Sequence, residues 1–265
     1  MTYFAPPRPR ILGHRGAAGV APENTLPSFA VAAAFGAEYL ELDVHATRDG
    51  EVVVLHDALL DRTTDGSGPV RDRTWSEVAQ LDAGCRFSHD QRSFPFRGQG
   101  VRVPRLQDVL RACAAHRLNI EIKQGEPPIA EAVLELLQRE RALARCLLTA
   151  EHDDIMAEIR RAAADRVATG LSAGEVLTFL DRVRRADLHG YVPPGHALQV
   201  PPAFGGVDII TPASIAAAHQ FGLEVHAWTI NDGAEIARLL ELGVDGIVSD
   251  LPGLAIEVAR QHRGA

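Results

Sequence analysis

The stretch Glu-Tyr-Leu-Glu-Leu-Asp-Val-His, residues 38–45, combines an apolar strand pattern with two carboxylates. Side chains alternate along a strand, so Glu41 and Asp43 point to one face while Leu42 points to the other. His45 continues the carboxylate face if the strand persists. Two acidic groups that point inward together repel each other unless a cation lies between them, and oxygen ligands suit Mg²⁺ or Ca²⁺. The apolar flanking residues favour this buried arrangement over a solvated edge strand.

Three other polar segments follow short apolar runs in the same way, at positions where strands are expected to end. They are His14-Arg15-Gly16, His56-Asp57 and Glu121-Ile122-Lys123. Polar side chains at the carboxyl ends of parallel strands usually form an active site rather than a core. The sequence therefore predicts that two histidines, an arginine and a lysine converge with the carboxylates of Glu41, Asp43 and Glu121. This set is suited to metal-assisted attack on a phosphate ester.

The residue types in these segments suggest distinct roles. Histidine titrates near neutrality, so His14 and His56 could divide the acid and base roles between them. Glu121 could be the third metal ligand, and Lys123, on the same face of its strand, could neutralise a phosphate oxygen. Arg15 offers a bidentate fork for a phosphate group, which a lysine cannot match.

Several other residues give weaker signals. Asp57 could orient a histidine or cap the next loop. Trp228 could form an apolar wall for a glycerol or lipid group, or it could belong to the core. The segment Asn231-Asp232-Gly233 is typical of a turn and a helix start, and Thr25 or Asn24 could be the N-cap of the first helix.

Length, composition and charge narrow the classes of protein further. The chain has 265 residues, of which 46% are hydrophobic and 23% charged, so it can bury a large core and is not expected to be disordered. The formal net charge is -8 and there is no basic tail, so nucleic-acid binding is not expected.

No signal-peptide core is apparent, and no stretch approaches the ~20 apolar residues of a membrane span. Three separated cysteines indicate free thiols, and these features together predict a cytoplasmic protein.

Apolar runs alternate with helical stretches along the chain, which indicates βα units on a parallel sheet. The predicted strands are residues 10–13, 38–43, 51–55, 118–122, 145–149, 167–171, 207–210, 224–229 and 245–248. The predicted helices are residues 26–35, 106–115, 129–143, 154–164, 174–186, 213–221, 234–242 and 253–262. A TIM barrel has eight strands, so one candidate is expected to be irregular. The weakest is 207–210, because prolines surround it.

We therefore predict an α/β fold, a TIM (β/α)8 barrel that spans residues 1–265 as one domain. An open doubly wound sheet is the alternative, but the chain has no glycine-rich dinucleotide or phosphate-loop fingerprint. Between residues 57 and 106 the only candidate element is a short helix at 75–81. A loop of this length is usually functional or disordered, and its aromatic content indicates packing. We expect an ordered insertion at about 58–105, after the third strand, over one end of the barrel.

Taken together and in order, these segments resemble the glycerophosphodiester phosphodiesterase family. The matching motifs are Gly13-His14-Arg15-Gly16, Ala21-Pro22-Glu23-Asn24-Thr25, Glu41-Leu42-Asp43-Val44, His56-Asp57, Leu60-Asp61-Arg62-Thr63-Thr64, Asn119-Ile120-Glu121-Ile122-Lys123, and residues 225–231 and 242–250. Each motif alone is weak, but the ordered set is specific. One departure affects the wall of the substrate site: Ala150-Glu151-His152-Asp153 stands where many members carry Ser-Phe-Asp.

The resemblance implies a TIM barrel with a small insertion, and hydrolysis of glycerophosphodiesters to sn-glycerol 3-phosphate and an alcohol. It implies one divalent metal ion, Mg²⁺ or Ca²⁺, as cofactor. The implied site residues are Glu41, Asp43 and Glu121 for the metal, His14 and His56 for acid–base catalysis, and Arg15, Lys123 and Trp228 for the substrate. The expected partner is a small glycerophosphodiester, with neither nucleic acid nor an integral membrane segment. No heptad repeat or exposed apolar stripe defines an oligomeric state.

Two other functions are open at the level of sequence. In a lysophospholipase D, a lipid tail would replace a polar group, and Phe87, Phe94 and Phe96 of the insertion would form an apolar lid. A metal-dependent binding barrel without turnover belongs to a different class, but such a degenerate site should have lost at least one of the catalytic residues. The nucleophile, water or the glycerol hydroxyl beside the phosphate, is also open, as is the assignment of acid and base to the two histidines.

Overall fold

Eight parallel strands form a nearly closed barrel in the computed structural model, which describes residues 2–264. Numbered along the chain, the strands are β1 Arg10–Gly13, β2 Tyr39–Ala46, β3 Val52–Val54, β4 Arg117–Ile122, β5 Cys146–Thr149, β6 Ala168–Thr169, β7 Ala197–Val200, β8 Ala203–Phe204, β9 Val207–Asp208, β10 Glu224–Ala227 and β11 Gly246–Ser249. The order around the barrel is β6, β5, β4, β2, β1, β11, β10 and β7. A parallel bridge between Gly170 and Ala197 connects the two ends of this order.

Helices surround the barrel and largely follow the predicted ranges. They are α1 Leu26–Ala34, α2 Trp75–Val78, α3 Leu106–Ala112, α4 Ala130–Arg139, α5 Asp153–Ala163, α6 Ala173–Arg184, α7 Pro212–Gln220, α8 Gly233–Leu242 and α9 Pro252–Gly264. Of the two N-cap candidates for α1, Thr25 holds the position, because its side chain accepts a hydrogen bond from the Ser28 N–H. Among the described residues, none of these helices combines the length and hydrophobicity needed to cross a bilayer.

The barrel strands are buried on both faces, which explains their almost continuously apolar sequences. Outward-facing residues of β2, such as Leu40 and Leu42, join a large cluster between the strands and the helices. Inward-facing residues form a smaller cluster inside the barrel. Its members are Tyr3, Leu12, Tyr39, Leu147, Ala168, Ala197 and Val248. Because Tyr39 points inward, the alternation along β2 also directs Glu41 and Asp43 to the interior.

The amino-terminal end of the barrel is filled by a buried polar network. Arg10 donates hydrogen bonds to Glu224 from Nε at 2.7 Å and from Nη2 at 2.6 Å. The Nε2 of His226 lies 3.0 Å from Glu224, and both His226 and Tyr3 are fully buried. The carboxyl-terminal end of the barrel, to which the strands deliver the polar motifs, is therefore the end open to a substrate.

Two predicted strands lie outside the barrel. Residues 51–55, expected to be the third barrel strand, contain β3, which pairs antiparallel with β2. Residues 207–210 contain β9, which pairs antiparallel with β8 in a separate hairpin. The remaining barrel position is taken by β7, which the sequence did not indicate, because its four residues include the polar Gln199 and lie between proline-rich segments. The insertion therefore follows the third strand in chain order, as predicted, but this strand, β3, is not one of the eight barrel strands.

The insertion is ordered and has an apolar cluster of its own. The cluster consists of Val53, Leu55, Leu60, Val70, Val78, Ala83, Val101 and Val103. Phe96 packs against this cluster and meets Phe87 edge to face, with ring centroids 5.3 Å apart. The guanidinium of Arg97 lies 3.8 Å from the ring centroid of Phe94. These contacts hold the three phenylalanines within the insertion, which differs from the open apolar lid expected for a lysophospholipase D.

Candidate active site

Three carboxylates from neighbouring strands meet at the carboxyl-terminal end of the barrel. Glu41 and Asp43 lie on β2, and Glu121 lies opposite Asp43 on β4. One ligand oxygen of each residue lies within 4.8 Å of the others. Glu41 and Asp43 are buried, and Glu121 is partly buried. The structure therefore brings together the three residues that the sequence predicts as metal ligands.

Burial and mutual repulsion disfavour the ionised form of this cluster. Desolvation, followed by the charge of Asp43, raises the pKa of Glu41 to about 8. Desolvation also raises the pKa of Glu121, although Lys123 opposes the increase, and the charge of Asp43 adds to it. A divalent cation among the oxygens would relieve both penalties, and hard ions such as Mg²⁺ and Ca²⁺ prefer ligands of this type. The donor set therefore fits the metal that the sequence predicts.

The loop after β1 orients the carboxylates. The backbone N–H of Arg15 donates to Oε2 of Glu41 at 2.8 Å, and the Asn24 side-chain amide donates to Oδ2 of Asp43 at 2.9 Å. Arg15 and Asn24 both have left-handed backbone conformations, with φ of 49° and 57°. Gly16 follows with φ of 91°, and a Cβ there would lie 2.4 Å from a side-chain oxygen of α1. This tight turn places two hydrogen-bond donors against the ligand oxygens.

Two cations flank the carboxylates. The Nζ of Lys123 lies 2.7 Å from Oε1 of Glu121 and 3.5 Å from Oδ1 of Asp43. The Nε of Arg15 lies 3.2 Å from Oδ2 of Asp43 without hydrogen-bond alignment, and its Nη1 donates to Glu23 at 2.7 Å. Burial opposes both charges, but the neighbouring carboxylates outweigh it and raise the pKa of Lys123 and of Arg15. Both side chains are therefore cationic beside the predicted ligands.

His14 follows β1 and turns one ring nitrogen toward the carboxylates. Its Nε2 lies 4.0 Å from Oε2 of Glu41, and its Nδ1 lies 2.6 Å from Oδ1 of Asp250. An ionised carboxylate can only accept, so Nδ1 carries a proton. The side-chain amide of Asn231 donates to Asp250 at 2.6 Å and accepts from its backbone N–H at 2.8 Å. Burial lowers the pKa of His14, but the bond to Asp250 and the charge of Glu41 outweigh it and raise the pKa overall.

His56 follows β3 at the start of the insertion and has a similar partner. Its Nδ1 lies 2.6 Å from Oδ1 of Asp57, which places Asp57 where it can orient this histidine. Asp57 accepts two hydrogen bonds from Arg62, at 2.6 and 3.0 Å. These bonds outweigh the effect of burial, and with the bond to His56 they hold the pKa of Asp57 well below its usual range. The Nε2 of His45 lies 3.0 Å from the carbonyl oxygen of His56 and fixes the backbone there.

A series of ion pairs connects the insertion to the barrel. Arg62 donates to both carboxylate oxygens of Glu23, at 2.6 and 2.8 Å, in addition to its bonds to Asp57. Glu23 in turn accepts from Arg15, which faces Asp43. Burial opposes ionisation of Glu23, but Arg62 and Arg15 outweigh it and lower its pKa. Charged contacts therefore run without interruption from the metal-ligand cluster to the partner of the second histidine.

Trp228 stands at the rim of the barrel. It follows β10, is 45% exposed, and donates its backbone N–H to the carbonyl of Val200 at the end of β7. This exposure is inconsistent with a core position, which was one of its two interpretations. Its role as a wall of the substrate site stays a prediction.

The sequence predicts the ligands and the histidines, but it misses most of the groups that hold them. It assigns no role to Asp250, and it treats Asn231 only as part of a turn. Glu23 and Arg62 lie in motifs that support the family resemblance, again without an assigned role. Membership of the family motifs was the only sequence signal for Glu23, Arg62 and Asp250. The pairing of His14 with Asp250 joins residues 236 positions apart, so it could not be inferred before the fold was known.

Comparison with known proteins identifies the family. Residues 14–254 match the model of the glycerophosphoryl diester phosphodiesterase family. A Mycobacterium tuberculosis protein named probable glycerophosphodiester phosphodiesterase 2 is 32% identical over 251 residues, which cover 93% of this chain and 89% of that protein. A Mus musculus protein named lysophospholipase D GDPD1 is 27% identical over 275 residues, which cover 92% of this chain and 83% of that protein.

A solved structure supports the same assignment. An Oleispira antarctica phosphodiesterase in complex with the product sn-glycerol-3-phosphate superposes with a TM-score of 0.75 and 26% identity, covering 94% of this chain and 96% of that one. The barrel, the carboxylate cluster and the sequence match agree with one another. The chain therefore belongs to the glycerophosphoryl diester phosphodiesterase family.

Proposed function

We propose that the protein is a divalent-metal-dependent phosphodiesterase that hydrolyses glycerophosphodiesters to sn-glycerol 3-phosphate and an alcohol. The observation that carries the proposal is a cluster of three carboxylates with the Nε2 of His14 4.0 Å from Glu41. His14 and His56 are each bound through Nδ1 to an aspartate. Membership of the family supports the reaction class. The product bound to the Oleispira antarctica relative supports the glycerol 3-phosphate portion.

The two cations of the site would bind the phosphodiester. Lys123 and Arg15 lie near different oxygens of Asp43, so their charges border the metal-ligand cluster from separate directions. The Arg15 guanidinium could share its donors between Glu23 and a phosphate oxygen, because its fork carries five N–H groups. Negative charge that develops on the phosphorus oxygens would then lie close to two fixed positive charges.

Glu41, Asp43 and Glu121 would hold the metal. When bound, Mg²⁺ or Ca²⁺ supplies charge that polarises the phosphodiester oxygens. The loop after β1 keeps these carboxylates in place, since Glu41 and Asp43 each accept a hydrogen bond from it. Second-layer donors of this kind usually contribute strongly to metal affinity.

His14 and His56 would move the protons. With each Nδ1–H donated to an aspartate, Nε2 is the atom that accepts or delivers a proton. One histidine would take the proton of the nucleophile, and the other would protonate the leaving alkoxide. The nucleophile is water or the glycerol hydroxyl beside the phosphate. The second route forms a transient cyclic phosphate, which phosphorus NMR would detect.

A coupled assay for glycerol 3-phosphate tests the proposal. Purified protein is incubated with glycerophosphocholine or glycerophosphoethanolamine, in Mg²⁺, Ca²⁺ or EDTA. We expect release that EDTA abolishes and added metal restores. Full activity in EDTA, with no metal found by elemental analysis, would reject the carboxylate site. An absence of release from both substrates under every metal would reject the reaction itself.

A metal-binding measurement tests the ligands independently of turnover. Glu121→Gln removes one charged ligand and should lower the affinity for Mg²⁺ or Ca²⁺ in calorimetry by about 100-fold or more, since even outer-shell changes cost 10- to 100-fold. Glu140→Gln is the matched control, because Glu140 pairs with Arg111 on the helical surface. Equal affinity in both variants would contradict the assignment of Glu121.

Lysophospholipids are a second candidate substrate class. The observation that favours them is the exposed indole of Trp228 at the open end of the barrel. The name of the Mus musculus relative, lysophospholipase D GDPD1, points in the same direction.

A further inference from the structure

A short hairpin with an exposed apolar tip rises from the barrel. It consists of β8 and β9, in which Phe204 lies directly opposite Val207. Residues directly opposite each other share one face, so the two side chains form an apolar pair. They are 75% and 63% exposed. Gly205 and Gly206 form the two-residue turn between them, and both have positive φ, as such turns require.

The hairpin lies on the same end of the barrel as the carboxylates. It leaves the carboxyl-terminal end of β7, and the Pro202 carbonyl at its base accepts hydrogen bonds from the Ile209 and Ile210 N–H groups at 2.9 and 3.1 Å. Trp228 directly follows the neighbouring strand β10, and its backbone N–H donates to the carbonyl oxygen of Val200 of β7 at 3.2 Å. Trp228 and the hairpin that carries Phe204 and Val207 therefore follow adjacent barrel strands, and we call these three residues the apolar rim.

The apolar rim and the charged groups occupy different parts of the barrel mouth. Glu41 and Glu121 lie on β2 and β4, and His14 directly follows β1, whereas the rim residues lie on the hairpin after β7 and directly after β10. In the barrel order, β11 separates β10 from β1, and β5 and β6 separate β4 from β7. A substrate whose phosphate lies on the charged side can therefore extend across the mouth toward the rim.

The chemistry of the rim selects among substrate groups. A glycerol, choline or ethanolamine group is polar and small, and it gains little from contact with Phe204 and Val207. An acyl chain gains free energy by removing these side chains and itself from water. Single exposed apolar residues are common, but this rim joins a cross-strand pair and an exposed indole beside a phosphodiester site.

We propose that the apolar rim binds the acyl chain of a lysophospholipid, and this inference rests on the phosphodiesterase function proposed above. In the overall reaction, the oxygen of water is added to phosphorus, directly or by opening a transient cyclic phosphate, and the bond from phosphorus to the head-group oxygen breaks. The departing alkoxide takes a proton, which gives lysophosphatidate and the free head-group alcohol. The acyl chain stays on the glycerol and takes no part in the bond changes, so the rim sets substrate preference rather than chemistry.

The test compares two substrates that differ only in the chain. Values of kcat/KM are measured for glycerophosphocholine and for octanoyl lysophosphatidylcholine kept below its micellar concentration. The variant Phe204→Thr with Val207→Thr keeps strand-forming residues and removes the apolar tip. Leu177→Gln is the control, because Leu177 is 64% exposed on α6.

We expect the double variant to lower the ratio of kcat/KM for the lysophospholipid to kcat/KM for glycerophosphocholine by about 10-fold, as the loss of one good apolar contact implies. Glycerophosphocholine turnover should stay unchanged, and the control should match the wild type.

Several results would overturn the inference. The inference fails if the wild type hydrolyses glycerophosphocholine but not the lysophospholipid. It also fails if the double variant has the same ratio of kcat/KM for the two substrates as the wild type. If a second assay above the micellar concentration shows the loss only there, the hairpin contacts lipid surfaces instead of a single chain. A changed sedimentation coefficient of the double variant would assign the hairpin to self-association. A wild type inactive on both substrates would instead contradict the proposed function, so the two failures are distinguishable.

Discussion

The two histidines of the site have the same immediate partner but belong to different parts of the molecule. Each Nδ1 lies 2.6 Å from an aspartate oxygen. His14 and its partner Asp250 follow β1 and β11, two paired strands of the barrel. His56 and its partner Asp57 are adjacent in sequence and lie where the chain leaves β3 for the insertion.

The supports behind the two aspartates differ in charge. Asp250 is held by the neutral amide of Asn231, which contacts both its side chain and its backbone. Asp57 is held by the guanidinium of Arg62, which also binds Glu23. We call the first set, His14, Asp250 and Asn231, the barrel arm. We call the second set, His56, Asp57, Arg62 and Glu23, the insertion arm.

This difference shows two ways of fixing a histidine. Paired strands already fix the backbone of the barrel arm, so neutral hydrogen bonds are sufficient. The insertion arm follows β3, which lies off the barrel path, and its histidine is more exposed, with 32% for His56 against 19% for His14. Its geometry therefore depends on charge. The changes below separate the two arms, beginning with the largest expected effect.

Removal of either imidazole should have the largest effect, because proton transfer needs both arms. We expect His14→Ala and His56→Ala each to lower kcat by about 10²- to 10⁴-fold, the usual contribution of a positioned acid or base. Steady-state kinetics with glycerophosphocholine measures this effect. His262→Ala, on an exposed position of α9, should behave as the wild type. Near-normal turnover in either active-site variant would remove that histidine from the mechanism.

Substitution of the two aspartates that bind the histidines should have the next largest effect. Asp250→Asn and Asp57→Asn keep the side-chain size but replace a charged acceptor with an amide, so each ring loses a strong orienting bond. We expect kcat to fall about 10- to 100-fold in both, the usual cost of changing a second-layer partner. Asp108→Asn, which alters the pair between Asp108 of α3 and Arg105 just before this helix, serves as the control. A loss below about 3-fold would show that the affected arm does not depend on its carboxylate.

Replacement of Arg62 tests the insertion arm alone. Arg62→Lys keeps the charge, but an ammonium cannot hold two carboxylates with a planar fork, so Asp57 and Glu23 are no longer bridged. We expect kcat to fall about 10-fold, the lower end of the range of about 10- to 100-fold expected when a residue that supports the site is changed. The KM for glycerophosphocholine should change less. Circular dichroism checks the fold. Arg238→Lys is the matched control, because Arg238 makes a similar fork with Glu235 on α8. Equal kinetics in the two variants would mean that the bridge is only structural.

The parts of this site that were predictable from sequence are those set by local geometry. Strand alternation alone placed Glu41 and Asp43 on one face, and the same argument applied to Glu121. The sequence also indicated Asp57 as a residue that could orient a histidine, because it is the immediate neighbour of His56. Asp250 was not, since its contact with His14 exists only after β1 and β11 have paired.

The fold has the same division between local and non-local information. Helix positions followed from local pattern and capping, so their predicted ranges agree closely with the structure. An apolar run does not encode whether its strand pairs parallel or antiparallel, which is why β3 was assigned to the barrel. The strand β7 was missed for the opposite reason, because its short sequence carries little apolar signal between prolines.

Salt should produce the smallest effect and should separate the arms most selectively. An increase from about 0.1 M to about 1 M shortens the Debye length from about 10 Å to about 3 Å. The Arg62 side chain is 46% exposed, so screening reaches its bridge, whereas the amide of Asn231 carries no charge to screen. Exposed pairs contribute little, so we expect kcat/KM for zwitterionic glycerophosphocholine to fall only about 2- to 3-fold. Asn231→Ala should keep this salt dependence while lowering activity, and Arg62→Lys should lose most of it. If the salt response persists in Arg62→Lys, charge is not what holds the insertion arm in place.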